Sequence, residues 1–453
     1  MEKIQKYDLN DYGNGKRLVN KYEKCIRYAN EWDKWLIYNK NRWEKDKIGA
    51  IDRMAKSIIE DIREEAKNEV DENKKKEKLK AVNRFGNIRN IKGMIKSATS
   101  EKEVRISIDD FDKNKYLINC KNATIDLKKN ICYKNDPKDY ITKVLNIEYN
   151  PKATCPRWKK FISEIVNEDK ELEEFIQRAI GYSLTGSTKE QKLFICYGKG
   201  SNGKSILLEI LRILLNNYAS NIKTDSILLK RNKSSANPDI AKLKGIRFVT
   251  AQEIQEGKKL DEALVKEITG ADTITARFLY NNEFEFRPEF KLWLATNYKP
   301  AISGTDDGIW RRLILIPFKC TFTEQKGNKD SDLLDKLKKE LPGILNWCIE
   351  GYRAWEEYGL SEPDIVKREI NNYKKEMDTL EQFIDEKLVV KSDATIKNSR
   401  LVELYNIWNN SKVSTQLFGK IFKDKADKLE LKKERRNYGY VWIGIGEMDT
   451  SKR

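Results

Sequence analysis

The sequence predicts a multidomain α/β protein, with a parallel-sheet core between an α+β front domain and a C-terminal winged helix. Three observations predict it. From Lys192 onward apolar strands alternate with loops and helices, the pattern of a parallel sheet. One of those loops, GKGSNGKS, is glycine-rich and lies between a strand and a long helix. The last stretch reads as three helices followed by a two-stranded ribbon, the outline of a winged helix.

The chain has 453 residues and carries 88 Lys and Arg against 71 Asp and Glu, a formal net charge of +17. That length suggests two to four domains, and a 39% hydrophobic, 10% aromatic composition is ample for buried cores. Histidine is absent. A Ser-His-Asp or Cys-His nucleophile and any imidazole-dependent zinc site are therefore excluded. Seven cysteines are scattered without a CxxC pair, which reads as reduced thiols and a cytoplasmic setting. No stretch of about 18 apolar residues exists, so no membrane partner is expected. The excess positive charge points toward a polyanion such as nucleic acid.

Residues 1–155 form the predicted front domain. WLIYNKNRW alternates like a strand pair turning at Asn39–Asn41, and its neighbours Trp32, Trp35 and Trp43 read mostly as core. A long charged helix is predicted from about Ile48 to Arg84, and YLINCKNATIDLKKNICYK reads as short strands. Residues 156–325 form the predicted ATPase domain with leading helices. KLFICY, IRFVTA, KLWLAT and RLILIPF are its apolar strands. A helical connector over 326–376 and the winged-helix domain over 377–453 complete the chain.

Gly198-Lys199-Gly200-Ser201-Asn202-Gly203-Lys204-Ser205 matches G-x-x-x-x-G-K-[ST] at every position. In such a loop the backbone amides wrap phosphates and the following helix adds its positive end. Gly198, Gly200, Ser201, Asn202 and Gly203 are the predicted cradle. Lys204 would neutralise phosphate charge and Ser205 would ligate Mg²⁺, so ATP and Mg²⁺ are the predicted cofactors. Strand IRFVTA runs into Gln252-Glu253, which makes Glu253 the candidate acid for water or metal, with Glu256 as the fallback. Asn297, at the end of KLWLAT, is placed to sense the terminal phosphate. Arg311 and Arg312, at the start of an apolar strand, are candidates for a finger donated to a neighbour's nucleotide.

The order GKGSNGKS, FVTAQE, EITGADTITARFLYNNEFEFRPEFKLWLATN and GIWRRLILIPF resembles a superfamily 3 helicase. The resemblance is to the primase-associated ATPases of phages, plasmids and poxviruses, and it extends to the front segment at RYANEWDKWLIYNKNRWEKD. It implies an AAA+ ring, usually a hexamer, with ATP between subunits and single-stranded DNA in the pore. It further implies that Lys204, Ser205, Glu253, Asn297 and one of Arg311 and Arg312 carry hydrolysis. Gln252 departs from relatives that keep two adjacent acids there. TITARFLYNNEFEFRPEF alternates around Asn281-Asn282 like a β-hairpin. The resemblance points such a hairpin into the pore, with Lys266, Arg277, Tyr280, Asn281 and Asn282 as DNA contacts. Basic runs at Lys230–Lys233, and at Lys432, Lys433, Arg435 and Arg436 beside Tyr438 and Trp442, are further candidates.

These readings predict an ATP-dependent helicase that unwinds forked DNA for a phage or mobile element in a bacterial cell, associated with the nucleoid during replication. No carboxylate cluster with its own domain precedes the front domain, so primer synthesis is assigned to a separate primase or polymerase partner. The alternative is an ATP-regulated initiator or loader that assembles on DNA without processive unwinding. A monomeric phosphate-loop kinase fits less well, because GIWRR follows the sensor strand.

Overall fold

Five parallel strands make the central sheet of this computed structural model, which describes residues 7–230, 237–278, 282–302, 307–325, 328–410 and 412–448. They are β1 (Leu193–Tyr197), β2 (Ala219–Asn221), β3 (Phe248–Gln252), β4 (Lys291–Thr296) and β5 (Leu313–Pro317). Their spatial order is β5-β1-β4-β3-β2. Leu193 pairs with both Leu292 and Leu313, and Val249 pairs with Leu292. Every residue of β4 and β5 is buried, as expected of parallel strands covered on both faces.

One face packs on helix α1 (Lys204–Leu215) and on the helices Pro156–Ile165, Lys170–Ser183 and Leu341–Tyr358. Phe194 stacks on Trp293 there, with ring centroids 4.4 Å apart, and the Trp293 indole donates to Ser183 Oγ at 3.1 Å. The other face packs on helix Glu262–Thr269 and on Tyr373 of helix Asp364–Met377. Because all five strands run one way, their C-terminal ends share one edge, where ligands of open α/β sheets bind. Their N-terminal ends share the opposite edge.

The front hairpin forms as predicted, with Lys34–Asn39 antiparallel to Arg42–Lys45 and Asn39 opposite Arg42. Trp35 and Trp43 are buried, while Trp32 is half-buried. The expected helix over 48–84 is instead two helices, Ala50–Lys67 and Glu72–Phe85. The break comes at Asp71, whose carboxylate accepts the amides of Asn73 and Lys74 and so starts a new helix. Strands Leu117–Asn119, Thr124–Asp126 and Ile131–Tyr133 form their own antiparallel sheet. Ile118, Ile125 and Leu127 join the core of the central unit, so the cores do not part cleanly by sequence position.

The C-terminal unit runs helix Thr379–Lys387, strand Leu388–Lys397, helices Asn398–Trp408 and Thr415–Lys428, then strands Lys432–Arg436 and Gly439–Glu447. The ribbon expected to have two strands has three. Leu388–Lys397 pairs along Gly439–Glu447, with a register shift between Val390 and Thr395. That irregularity, with Lys391 to Asp393 exposed, interrupts the alternation by which a strand is recognised. Trp442 belongs to this unit's core: its indole donates to Asn398 Oδ1 at 2.9 Å and its ring meets Phe422 edge-on.

Candidate nucleotide site and nucleic-acid surfaces

The glycine-rich loop leaves β1 at the ligand edge and turns into α1. Two glycines are required by shape. A Cβ at Gly198 would lie 2.3 Å from the Phe318 carbonyl oxygen. Gly203 has φ +88°, and a Cβ there would meet Ile165 at 2.6 Å, so helix Pro156–Ile165 lies directly against the loop. The segment after β5 braces the loop's other side. Asn202 donates to the Phe318 carbonyl at 3.2 Å, and the Phe322 amide donates to the Ser201 carbonyl at 2.7 Å.

Lys204 is 5% exposed. Its Nζ donates to the carbonyl of Gly198 at 2.6 Å, to Lys199 at 3.3 Å and to Asn202 Oδ1 at 2.9 Å. It also donates to Asn297 Oδ1 at 3.1 Å. The structure therefore joins two predicted residues 93 positions apart. Burial pushes the Lys204 ammonium below its usual range. Such an ammonium gains most from an anionic partner.

A cavity of about 470 Å³ opens over this group, lined by the loop from Gly200 to Ser205 together with Gln252, Glu253 and Asn297. Glu253 holds a left-handed backbone (φ 61°) just past β3, with its amide bonded to the Ala295 carbonyl. Strain at such a position is characteristic of functional sites. Among the described residues no group of three His, Cys, Asp or Glu could hold a metal ion by itself. A magnesium ion suits this donor set only with phosphate oxygens and water completing its shell, its common mode of binding. Amide donors, one ammonium, Ser205 and Glu253 around a cavity of this size fit a nucleoside triphosphate with such an ion.

Three parts of the cavity wall went unread in the sequence: Arg157 with Phe161, Phe322, and the segment Asn328–Asp330. Arg157 pairs with Glu164 at 3.1 Å and with Asp330 at 3.6 Å, tying the leading helix to the segment after β5. No local motif marks them, because the fold assembles them from positions far apart.

Arg311 and Arg312 lie at the opposite edge. The Arg312 carbonyl accepts the amide of Leu193, the first residue of β1, and a five-residue strand separates that edge from the loop by roughly 16 Å. Arg312 Nη1 donates to the Gly308 carbonyl at 2.6 Å. Neither arginine lines the cavity of its own chain.

The expected hairpin is present: Ile274–Ala276 pairs antiparallel with Phe284–Phe286. Arg277 is half-buried and Asn282 exposed on it, while Lys266 sits in the last turn of the preceding helix. Tyr280 and Asn281 lie outside the described residues, as do Arg231, Asn232 and Lys233. In the C-terminal unit, Lys432–Arg436 is exposed along its whole length. Lys433 lies about 5 Å from the rings of both Tyr440 and Trp442.

Residues 15–167 match a family described as D5 N terminal like, and residues 196–312 match a family of unknown function. The chain is 29% identical over 428 residues to "Putative helicase L207/L206" of Acanthamoeba polyphaga mimivirus, covering 86% of this chain and 44% of that protein. It is 24% identical over 356 residues to "Putative primase C962R" of African swine fever virus, covering 72% of this chain and 36% of that one. The chain thus spans less than half the length of the curated relatives it matches. A solved structure described as the apo NrS-1 C terminal region superposes with a TM-score of 0.51 at 12% identity, covering 98% of this chain and all of that one. This likeness shows the shared fold, a mixed α/β multidomain arrangement.

The front region is thus similar to the D5 N terminal like family over residues 15–167, and the chain as a whole is similar to viral proteins named putative helicase or putative primase. These relatives are viral, which lends the bacterial host and nucleoid setting no support. Among the described residues no helix is long and apolar enough to cross a membrane.

Proposed function

We propose that this chain is the ATPase and helicase part of a viral or mobile-element DNA replication protein, of the AAA+ superfamily 3 type. The observation that carries the reading is the Lys204–Asn297 contact inside the phosphate-loop cavity, on a sheet ordered β5-β1-β4-β3-β2. ATP with Mg²⁺ is the proposed ligand. The loop amides and Lys204 would hold the phosphates, Ser205 would reach the metal, and Glu253 would orient the attacking water. Bound Mg²⁺ supplies charge neutralisation on the phosphates.

The placement of Arg311 and Arg312 supports action on a neighbouring subunit's nucleotide, and hence a homo-oligomeric ring, proposed to be a hexamer. Lys266, Arg277, Tyr280, Asn281 and Asn282 are the proposed contacts to single-stranded DNA in the pore. The C-terminal unit is proposed to act as a winged helix at the fork. A separate primase or polymerase is the proposed partner.

The test is ATP-dependent unwinding of a labelled forked duplex, with Lys204→Ala as control. Strand separation by the unaltered chain alone is the expected result. DNA binding and ATP turnover without separation would replace the motor with an initiator or loader. Arg311→Ala and Arg312→Ala should leave assembly intact while one of them stops turnover; normal turnover in both would remove the finger assignment.

A further inference from the structure

A second hollow, of about 730 Å³, opens on the front sheet, well away from the phosphate loop in sequence. Trp32, Tyr38, Arg42, Lys45 and Lys143 line it, with Asn217 from the turn that follows α1. Arg42 Nη1 donates to Asn217 Oδ1 at 2.6 Å, so the hollow sits on the seam between the front sheet and the central unit.

Its charge is unbalanced. The two acids that line it already have partners. Glu44 pairs with Arg42 at 3.1 Å and accepts from Asn39 at 2.7 Å. Asp46 accepts the amides of Ile48, Ala50 and Ile51 at the start of a helix. Lys34, Lys45 and Lys47 stand close together, and none of them takes part in an ion pair among the described residues. Partial desolvation against the Trp32 ring first, then the charges of Lys47 and Lys34, hold the Lys45 ammonium below its usual range. That ammonium rests 3.7 Å from the centre of the Trp32 ring. Trp32 in turn stacks at 16° on Phe111, which fixes the plane of its indole.

An immobilised, half-buried indole, capped by the exposed Lys45 ammonium that an incoming base would displace onto its own phosphate, is complementary to a flat ring joined to an anionic backbone. We propose that this hollow binds a segment of single-stranded nucleic acid, with a base on Trp32 and phosphodiester groups on Lys45, Lys47 and Lys143. An acidic peptide would satisfy the lysines but leave the indole face unused. Through the Arg42–Asn217 bond, a strand held here also touches the turn that ends α1, whose other end forms the phosphate loop. The proposal rests on the nucleic-acid part of the function proposed above and is independent of ATP hydrolysis.

The test is binding of fluorescein-labelled oligo(dT) to the full chain, followed by anisotropy across a salt series without nucleotide. Trp32→Ala should weaken binding roughly tenfold with the salt slope unchanged. Lys45→Glu with Lys47→Glu should flatten the log–log salt slope by about 1.4, at about 0.7 per phosphate contact on a single strand. The lysine pair is exposed, so it decides the matter if the Trp32 variant fails to fold. Basal ATP turnover should match the parent in both. Parent-like binding by both front variants, alongside weakened binding by Arg277→Ala, would overturn this proposal and leave the pore reading standing. Failure of the parent chain to bind oligo(dT) would remove both. Displacement of oligo(dT) by polyglutamate, as readily as by unlabelled oligo(dT) of equal charge, would assign the hollow to an acidic peptide instead.

Discussion

Lys204 and Lys291 stand at opposite edges of one parallel sheet, and both direct an almost buried ammonium at backbone carbonyls. Lys204 reaches Gly198 and Lys199 at the loop end of β1. Lys291, the first residue of β4, reaches Thr185, and Ser187 and Glu289 at 3.2 Å each. Burial pushes both below the usual lysine range, and for Lys291 the neighbouring Arg247 charge adds to it. What differs is the space around them. Lys204 faces an open cavity and shares its proton donors with Asn297, so an incoming anion can take over from the carbonyls. Lys291 is enclosed. Arg247 beside it donates to the carbonyls of Leu117 and Leu184, so the pair pins the front strands and the turn after helix Lys170–Ser183 to the bottom of the sheet. One chemistry thus gives a ligand site where partners can be exchanged and a structural clamp where they cannot.

The largest expected effect separates the two lysines by activity. Lys204→Ala should lower ATP turnover by roughly 10²–10³-fold while moving the thermal midpoint little, read by phosphate release and thermal unfolding of one preparation. Lys291→Ala should do the reverse. It leaves the buried Thr185 carbonyl and the half-buried carbonyls of Ser187 and Glu289 without their donor and opens a void, for a loss of about 3 kcal/mol in urea unfolding. Turnover per folded molecule should survive. A folded Lys291→Ala protein without turnover would break the comparison, because the clamp would then belong to the site.

A smaller effect is expected of Asn297→Ala, about tenfold in kcat with KM nearly constant. It removes one of four partners of Lys204 and, on the proposed reading, the group that senses the terminal phosphate. Loss expressed in KM alone would reduce Asn297 to a contact that merely holds Lys204 in the free protein.

How much of this was legible in the sequence follows from how local each signal is. The loop, Gln252-Glu253 and Asn297 each lie at a strand end within a short run of residues, and their strands are continuous apolar runs. The structure gathers them around one cavity. Lys291 and Arg247 were visible only as charges opening the strands KLWLAT and RFVTA. Their partners lie 106 and 130 residues away, and no spacing rule connects such positions. Arg157 and Phe322 escaped for the same reason. The helix break before Asp71 carries neither proline nor glycine and depends on a side-chain cap. The third C-terminal strand hid behind its register shift. The two arginines of GIWRR were legible as a pair, yet only the topology shows that they sit at the far edge from their own chain's loop.

The finest test of the comparison is the pH dependence of stability. The folded-state pKa of Lys291 lies well below its unfolded value near 10.5. Between those two values the unfolded chain binds more protons than the native one, so this residue makes stability rise with pH and withholds that contribution as pH falls. Other groups titrate in the same range, which makes the informative quantity a difference between two proteins. Urea unfolding of the parent chain and of Lys291→Met, from about pH 7 to about pH 10, should show the parent gaining relative to the variant as pH rises. Lys204→Met, compared in the same way, should show the same sign with a smaller slope, because its cavity admits water to the ammonium. Equal slopes would mean that the two edges of the sheet enclose their lysines alike, and the distinction between clamp and ligand site would then rest on activity alone.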